Sequence, residues 1–188
     1  KMIKYIIPLI LFAKSMIFAD TTIIALEQFH QFFGNSGNMR SYVDTINFPE
    51  NNLSYSEVFM NVSLDCPAGG CDPWDRKANI QIKQFDEWFE IGRYVTPYGI
   101  GCSWVFDVTD YRSILKGEKE IKSYIDTWVQ PGWLVTIEFD FISGQPFTPN
   151  TMVRNVWNYD YLVYGDESNP PNIETVNEYI PEDVQFAK

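Results

Sequence analysis

The residues best able to do chemistry are concentrated in one stretch, Cys66-Pro67-Ala68-Gly69-Gly70-Cys71-Asp72-Pro73-Trp74-Asp75-Arg76. Four turn-type residues separate the two cysteines. If these pair, they close a tight loop and set the direction in which the chain leaves it. Asp75 is then presented from a stiff base, between an aromatic face and a permanent cation whose charge favours the ionised carboxylate. The plain alternative is a stapled surface turn with solvated charges. A second grouping lies in Glu120–Val129, which alternates strictly. Ile121, Ser123, Ile125 and Thr127 share one face of an extended strand, and Lys122, Tyr124, Asp126 and Trp128 share the other. The second face sets Asp126 between two aromatic rings. Its plain alternative is an edge strand with incidental aromatics.

Composition narrows what these carboxylates could act on. The chain has 188 residues, a formal charge of −11 and an ordinary apolar content, which suits one globular domain of normal size. Its opening nineteen residues contain Lys1, Lys4 and Lys14 and no acid, so the remainder is more acidic still. Such a surface repels phosphate backbones and anionic membranes, which argues against a nucleic-acid or membrane partner. Neutral sugars carry no such penalty, and six Trp and eleven Tyr offer flat faces with polar edges that can stack on a sugar ring. One His and three Cys are poor material for a metal site, so no metal and no cofactor are expected. Residues 1–19 read as a cleaved secretory signal, with Met2 as initiator, a basic start, an apolar run Tyr5–Ala13 and a small-residue end at Ala19. Export implies a secreted or periplasmic protein in an oxidising compartment, where a Cys66–Cys71 disulfide is plausible and Cys102 is the odd thiol.

The elements that must position these groups are short strands. Thr21–Leu26, Ser56–Asp65, Lys77–Gln84, Glu87–Tyr94, Trp104–Val108, Glu120–Val129 and Trp133–Ile142 show β-branched or alternating patterns. Lys77–Gln84 and Glu87–Tyr94 are close enough for a hairpin. Tyr111–Leu115 reads as one helical turn capped by Thr109 or Asp110, Lys116–Lys122 as a solvated charged face, and Val153–Tyr164 as a weaker strand. His30 has no acid or nucleophile near it in sequence and reads as a packing residue. Asn52-Leu53-Ser54 and Asn61-Val62-Ser63 match the glycosylation sequon, a short motif. Strands at this spacing with almost no helix imply an all-β fold, an antiparallel jelly-roll β-sandwich. It is expected over residues 20–147, with 148–188 a linker and the start of a second domain.

Several of these segments, taken in order, resemble the N-terminal domain of the peptide-N-glycosidase F family. They are Cys66 to Arg76, Ala78-Asn79, Glu87-Trp88-Phe89-Glu90-Ile91-Gly92-Arg93, Thr96-Pro97-Tyr98, Asp107-Val108-Thr109-Asp110 and Thr127-Trp128. The resemblance implies two jelly rolls side by side, with a metal-free site between them. It implies an amidase that cuts the bond between asparagine and the first N-acetylglucosamine of an N-linked glycoprotein or glycopeptide. Asp75 matches the principal catalytic aspartate, Asp126 falls on a family active-site glutamate, and Cys66 and Cys71 match a family disulfide. Trp74, Arg76 and Trp128 fall in or beside the glycan cleft, and Asp72 is expected with them on the substrate side.

Two departures qualify the resemblance. Asp126 is one methylene shorter than glutamate, enough to lower the rate considerably. The family's second jelly roll lies beyond the end of this sequence, so the chain alone is expected to be inactive or nearly so, needing that domain in cis or in trans. The alternative is a non-catalytic N-glycan-binding module from the same family. A copper monooxygenase half, of the peptidylglycine type whose fold the family's resembles, needs several histidines where this chain has only His30.

Overall fold

The computed structural model describes residues 20–50, 54–148 and 150–155. The expected leader, 1–19, lies outside them, as do 156–164 of the weak strand; residues 151–155 are not in a strand. The strands in chain order are β1 (Thr21–Gln31), β2 (Phe33–Gly34), β3 (Gly37–Asn38), β4 (Ser41–Phe48), β5 (Tyr55–Asp65), β6 (Lys77–Gln84), β7 (Glu87–Val95), β8 (Cys102–Asp107), β9 (Gly117–Ile125) and β10 (Trp133–Ser143). Eight of them form two four-stranded antiparallel sheets, ordered β1-β10-β5-β8 and β4-β9-β6-β7, while β2 and β3 make a small separate ribbon. This is the expected antiparallel jelly-roll sandwich.

Period-two alternation builds the core. Val58, Met60, Val62 and Leu64 of β5 are each at most 1% exposed, and Val135, Ile137, Phe139 and Phe141 of β10 point the same way. From the facing sheet come Ala78, Ile80 and Ile82 of β6, Phe89 and Ile91 of β7, and Ile121 and Ile125 of β9. Each of the larger side chains stabilises the fold by about 1.5–3 kcal/mol on burial. The β6–β7 hairpin turns through Phe85 and Asp86, both with positive φ, the twist that a two-residue hairpin requires.

Three expectations need correction. The strand expected over Glu120–Val129 is β9, which ends at Ile125, so Asp126 to Val129 lie beyond it; its interior place between β4 and β6 rules out the edge-strand alternative. The run Lys116–Lys122 is therefore largely strand rather than a free charged face. The helical turn is a 3-10 turn at Thr109–Tyr111, and the Asp107 carboxylate, not Thr109 or Asp110, accepts from its first amide (3.0 Å). Strand β4, with alternation too weak to read in the sequence, is held by its eight-residue register with β9. Asn61 lies within β5 and donates to Asp140 (2.6 Å), so its amide is already engaged. His30 is a packing residue, its Nε2 2.6 Å from the Pro131 carbonyl.

Past β10 the chain folds back on the domain. Arg112, 3% exposed, donates to the carbonyls of Thr109, Tyr55 and Thr148. Ser113 N donates to Thr151 Oγ1 (3.2 Å) and Asn155 Nδ2 to the Trp88 carbonyl (3.1 Å). Strand directions gather four connections at one end of the sandwich: 32–40, 66–76, 96–101 and 126–132.

Candidate active site

Asp72 is the centre of that end. It is fully buried, and protein donors take both carboxylate oxygens. Arg76 Nε (2.7 Å) and Thr127 Oγ1 (2.6 Å) donate to Oδ2; Trp74 N (3.0 Å) and Arg76 Nη2 (3.3 Å) donate to Oδ1. Burial pushes its pKa up, but the Arg76 guanidinium, the Thr127 hydroxyl and the Trp74 amide together outweigh that and hold it below the usual aspartate value. Its backbone is fastened as well. Asp72 N donates to the Gly132 carbonyl and its carbonyl accepts from Gly99 N, both at 3.0 Å. One residue thus ties the loop after Cys71 to the 96–101 and 126–132 connections.

Cys66 and Cys71 form a disulfide with Cα atoms 4.5 Å apart. Closing so short a loop stabilises the fold by roughly 2 kcal/mol in the chain-entropy account. A Cys66→Ser/Cys71→Ser double variant should lose about that much in denaturant unfolding. Cys102 is free and exposed, so the unreduced native protein should take up one maleimide per chain by mass.

The disulfide and Asp72 together present Trp74, 58% exposed, and Asp75, also exposed. Just beyond them, Arg76 N donates to Thr96 Oγ1 (2.8 Å) and Thr96 N to the Arg76 carbonyl (2.9 Å). The expected cation beside Asp75 is not Arg76, whose guanidinium turns inward to Asp72. The partner of Asp75 is Tyr98, whose phenol is held above its usual pKa first by a hydrogen bond to Asp75 and then by that carboxylate's charge.

Asp126 follows the last residue of β9, and its amide donates to the Lys77 carbonyl (3.0 Å). Tyr124 donates its hydroxyl to Asp126 Oδ1 (2.8 Å), and Arg40 Nη1 stands 3.6 Å from the same oxygen. Lys77 Nζ is 3.9 Å from Oδ2, but that side chain is 72% exposed and restrains it weakly. Burial first, and then the Asp126 hydrogen bond, raise the Tyr124 pKa. Trp128 is 53% exposed, with the Arg40 guanidinium 4.3 Å from its ring centre and Phe33 meeting it edge to face at 5.4 Å.

The geometry therefore makes two groups and a bridge. Asp75, Trp74 and Tyr98 stand on one side. Asp126, Trp128, Tyr124, Arg40 and Phe33 stand on the other. Buried Asp72 joins them through Arg76 and Thr127. Gly132 is part of the bridge: with φ +55, a Cβ there would sit 1.9 Å from the Gln31 carbonyl oxygen. Asp72 was expected beside the substrate, yet its oxygens are spent on protein donors. Arg40, Phe33 and Thr127 escaped the sequence reading as site residues. Arg40 and Phe33 carry no local motif, and Thr127 stands out in sequence as an inward-facing residue and as half of the Thr127-Trp128 segment, with nothing to mark it as a partner of Asp72. An exposed carboxylate (Asp75) and a half-buried one (Asp126), with exposed tryptophans and flanking phenols, can deprotonate a water, receive a leaving amine's proton and stack neutral rings.

Comparison with known proteins bears on the family and the fold. Residues 79–141 match the family described as peptide-N-glycosidase F, N terminal. The peptide-N(4)-(N-acetyl-beta-D-glucosaminyl)asparagine amidase F of Elizabethkingia miricola is 36% identical over 137 residues, 68% of this chain and 38% of that protein. The solved PNGase F of Flavobacterium meningosepticum, described as a glycosylasparaginase, superposes with a TM-score of 0.68 at 32% identity, over 74% of this chain and 47% of its own. PNGF-II, at 15% identity and a TM-score of 0.59, shares the fold. The chain spans less than half the length of these relatives.

Proposed function

We propose, from a domain homologous to the N-terminal domain of the peptide-N-glycosidase F family, that this end of the sandwich is one wall of an amidase site for N-linked glycans. The bond cut is the amide between asparagine and the first N-acetylglucosamine. The observation that carries the reading is Asp75, exposed beside Trp74 on a base stiffened by the disulfide and buried Asp72, at the same end of the sandwich as Asp126 and Trp128.

In this reading Asp75 takes a proton from the attacking water, or orients it, as oxygen bonds to the amide carbon. Tyr98, whose phenol senses the Asp75 charge, lies beside the carboxylate. The tetrahedral carbon then expels nitrogen, which must gain a proton to leave as the glycosylamine, while the peptide keeps an aspartate. In the same reading Asp126 contacts the sugar or the leaving nitrogen. Trp74 and Trp128 offer faces to the sugar rings, and a neutral glycan tolerates an acidic protein. The open exposure of both tryptophans suits a wall that a second jelly-roll domain, in cis or in trans, would complete. Two features accord with the expected export: a disulfide and a bacterial relative.

The test is mass spectrometry of a defined N-glycopeptide incubated with the chain. Conversion of the glycosylated Asn to a glycan-free Asp supports the amidase. Binding without conversion, with the second domain supplied, favours a glycan-binding module, the reading that the shorter Asp126 side chain favours. Neither binding nor conversion under those conditions overturns both.

A further inference from the structure

Arg40 occupies a position that no motif pointed to. Its carbonyl accepts from Ile125 N (2.9 Å) and from Gln31 Nε2 (2.8 Å). Gln31 is fully buried, and it also donates to the Ser123 carbonyl (3.1 Å) and accepts from Ser123 Oγ (2.8 Å). The Arg40 backbone is thus tied to the end of β9, one residue before Asp126. Its Nε donates to Asn38 Oδ1 on β3 (3.1 Å), which fixes the plane of the guanidinium. From there it makes three contacts at once. Nη1 lies 3.6 Å from Asp126 Oδ1, and its carbon lies 4.3 Å from the Trp128 ring centre and 4.8 Å from that of Phe33.

We propose that Arg40 is a positioning residue that holds Asp126 and Trp128 as one unit, and so sets the distance between that carboxylate and a sugar stacked on the tryptophan. The catalytic use of this unit rests on the amidase reading above. The physical reason is that one planar cation can pair with a carboxylate while its faces lie against aromatic rings, which an ammonium group cannot do equally well. The side chain is only 19% exposed, so solvent competes weakly for these contacts. Asp126 is short and leaves the β9–β6 ladder with one last bond, from its amide to the Lys77 carbonyl, and Trp128 follows two residues later outside any strand, so neither side chain is fixed by strand geometry. The β2–β3 ribbon becomes the support of the site, because it carries Phe33 and Asn38. Phe33 N donates to the Val129 carbonyl (3.2 Å) and Gln130 donates to Ser36, which keeps the ribbon against the loop that bears Trp128.

The experiment follows the Trp128 indole N–H resonance of the full chain, assigned by its loss in Trp128→Phe, beside titration with an Asn-linked N-acetylglucosamine glycopeptide. In Arg40→Met the resonance should shift and broaden, and glycopeptide affinity should fall about tenfold, the scale of one well-shielded cation–π contact. Arg40→Lys restores charge but not the plane, so the resonance should stay displaced; this variant carries the test alone if Arg40→Met does not fold. Asp126→Asn should move the same resonance, because ring and carboxylate share the guanidinium. An indole resonance unchanged by Arg40→Lys, or unmoved by Asp126→Asn, overturns the proposal. A wild-type chain that neither binds nor cleaves, even with the second domain supplied, counts instead against the amidase reading, since the indole signal reports on Arg40 without any glycan.

Discussion

Replacing Asp72 with alanine is expected to destabilise the protein by about 3–5 kcal/mol, the largest effect of any single carboxylate among the described residues. The change removes an acceptor on which Arg76, Thr127 and the Trp74 amide all converge, and it leaves a largely buried guanidinium without its counter-charge. Asp72→Asn keeps the volume but replaces an acceptor oxygen with an NH2 group facing donors, so it should recover only part of the loss. Denaturant unfolding measures both. The same residue predicts an acid limb. Its folded pKa is depressed below the ordinary aspartate value, so its contribution is fully present above that value, near pH 4, and is lost as pH falls through the folded pKa. Thermal midpoints of wild type should therefore drop below about pH 4, with a smaller drop in Asp72→Asn. Equal stability of wild type and Asp72→Ala at pH 7 would contradict this role.

Asp75→Asn is expected to do the reverse. Its side chain is exposed, so the thermal midpoint should hardly move. On the amidase reading and with the second domain supplied, conversion of glycosylated Asn to Asp should fall by about 10²–10⁴-fold, the range for loss of a general base. Glycopeptide binding should stay within a few-fold, because the stacking faces of Trp74 and Trp128 are untouched. Trp74→Ala should show the complementary pattern, with affinity losing more than turnover. A mass-spectrometric time course beside a binding titration separates the two. Conversion that survives in Asp75→Asn would remove Asp75 from the chemistry.

These two aspartates are three residues apart, and their opposite behaviour shows where sequence reading stops. Alternation in β5, β6, β9 and β10, the β6–β7 hairpin and the Cys66–Cys71 loop were legible because each is written in a few neighbouring residues. A period of two sorts side chains to opposite faces wherever the strand lies, and the disulfide joins cysteines only five positions apart. The same locality produced the errors. Asp72 and Asp75 both looked like candidates for contact with substrate, and Arg76 looked like the partner of its neighbour Asp75. The choice between them was made by Thr127, fifty-five residues away, which meets Asp72 in a buried layer and draws Arg76 inward with it.

Strand β9 repeats the lesson. Its two faces were plain in sequence, but an interior place between β4 and β6 depended on pairing with residues some eighty and forty positions earlier. Arg40 is the extreme case, since nothing near it in the chain hints at Asp126 or Trp128. By itself the sequence determined most of the strands and the disulfide loop with its cluster of aromatic and acidic residues, because these follow from local stereochemistry and burial pattern. Only the tertiary structure decided which carboxylate is buried and which is presented, and which cation steadies each, because hydrogen bonds and ion pairs between distant segments exist only once the two sheets have closed on their core.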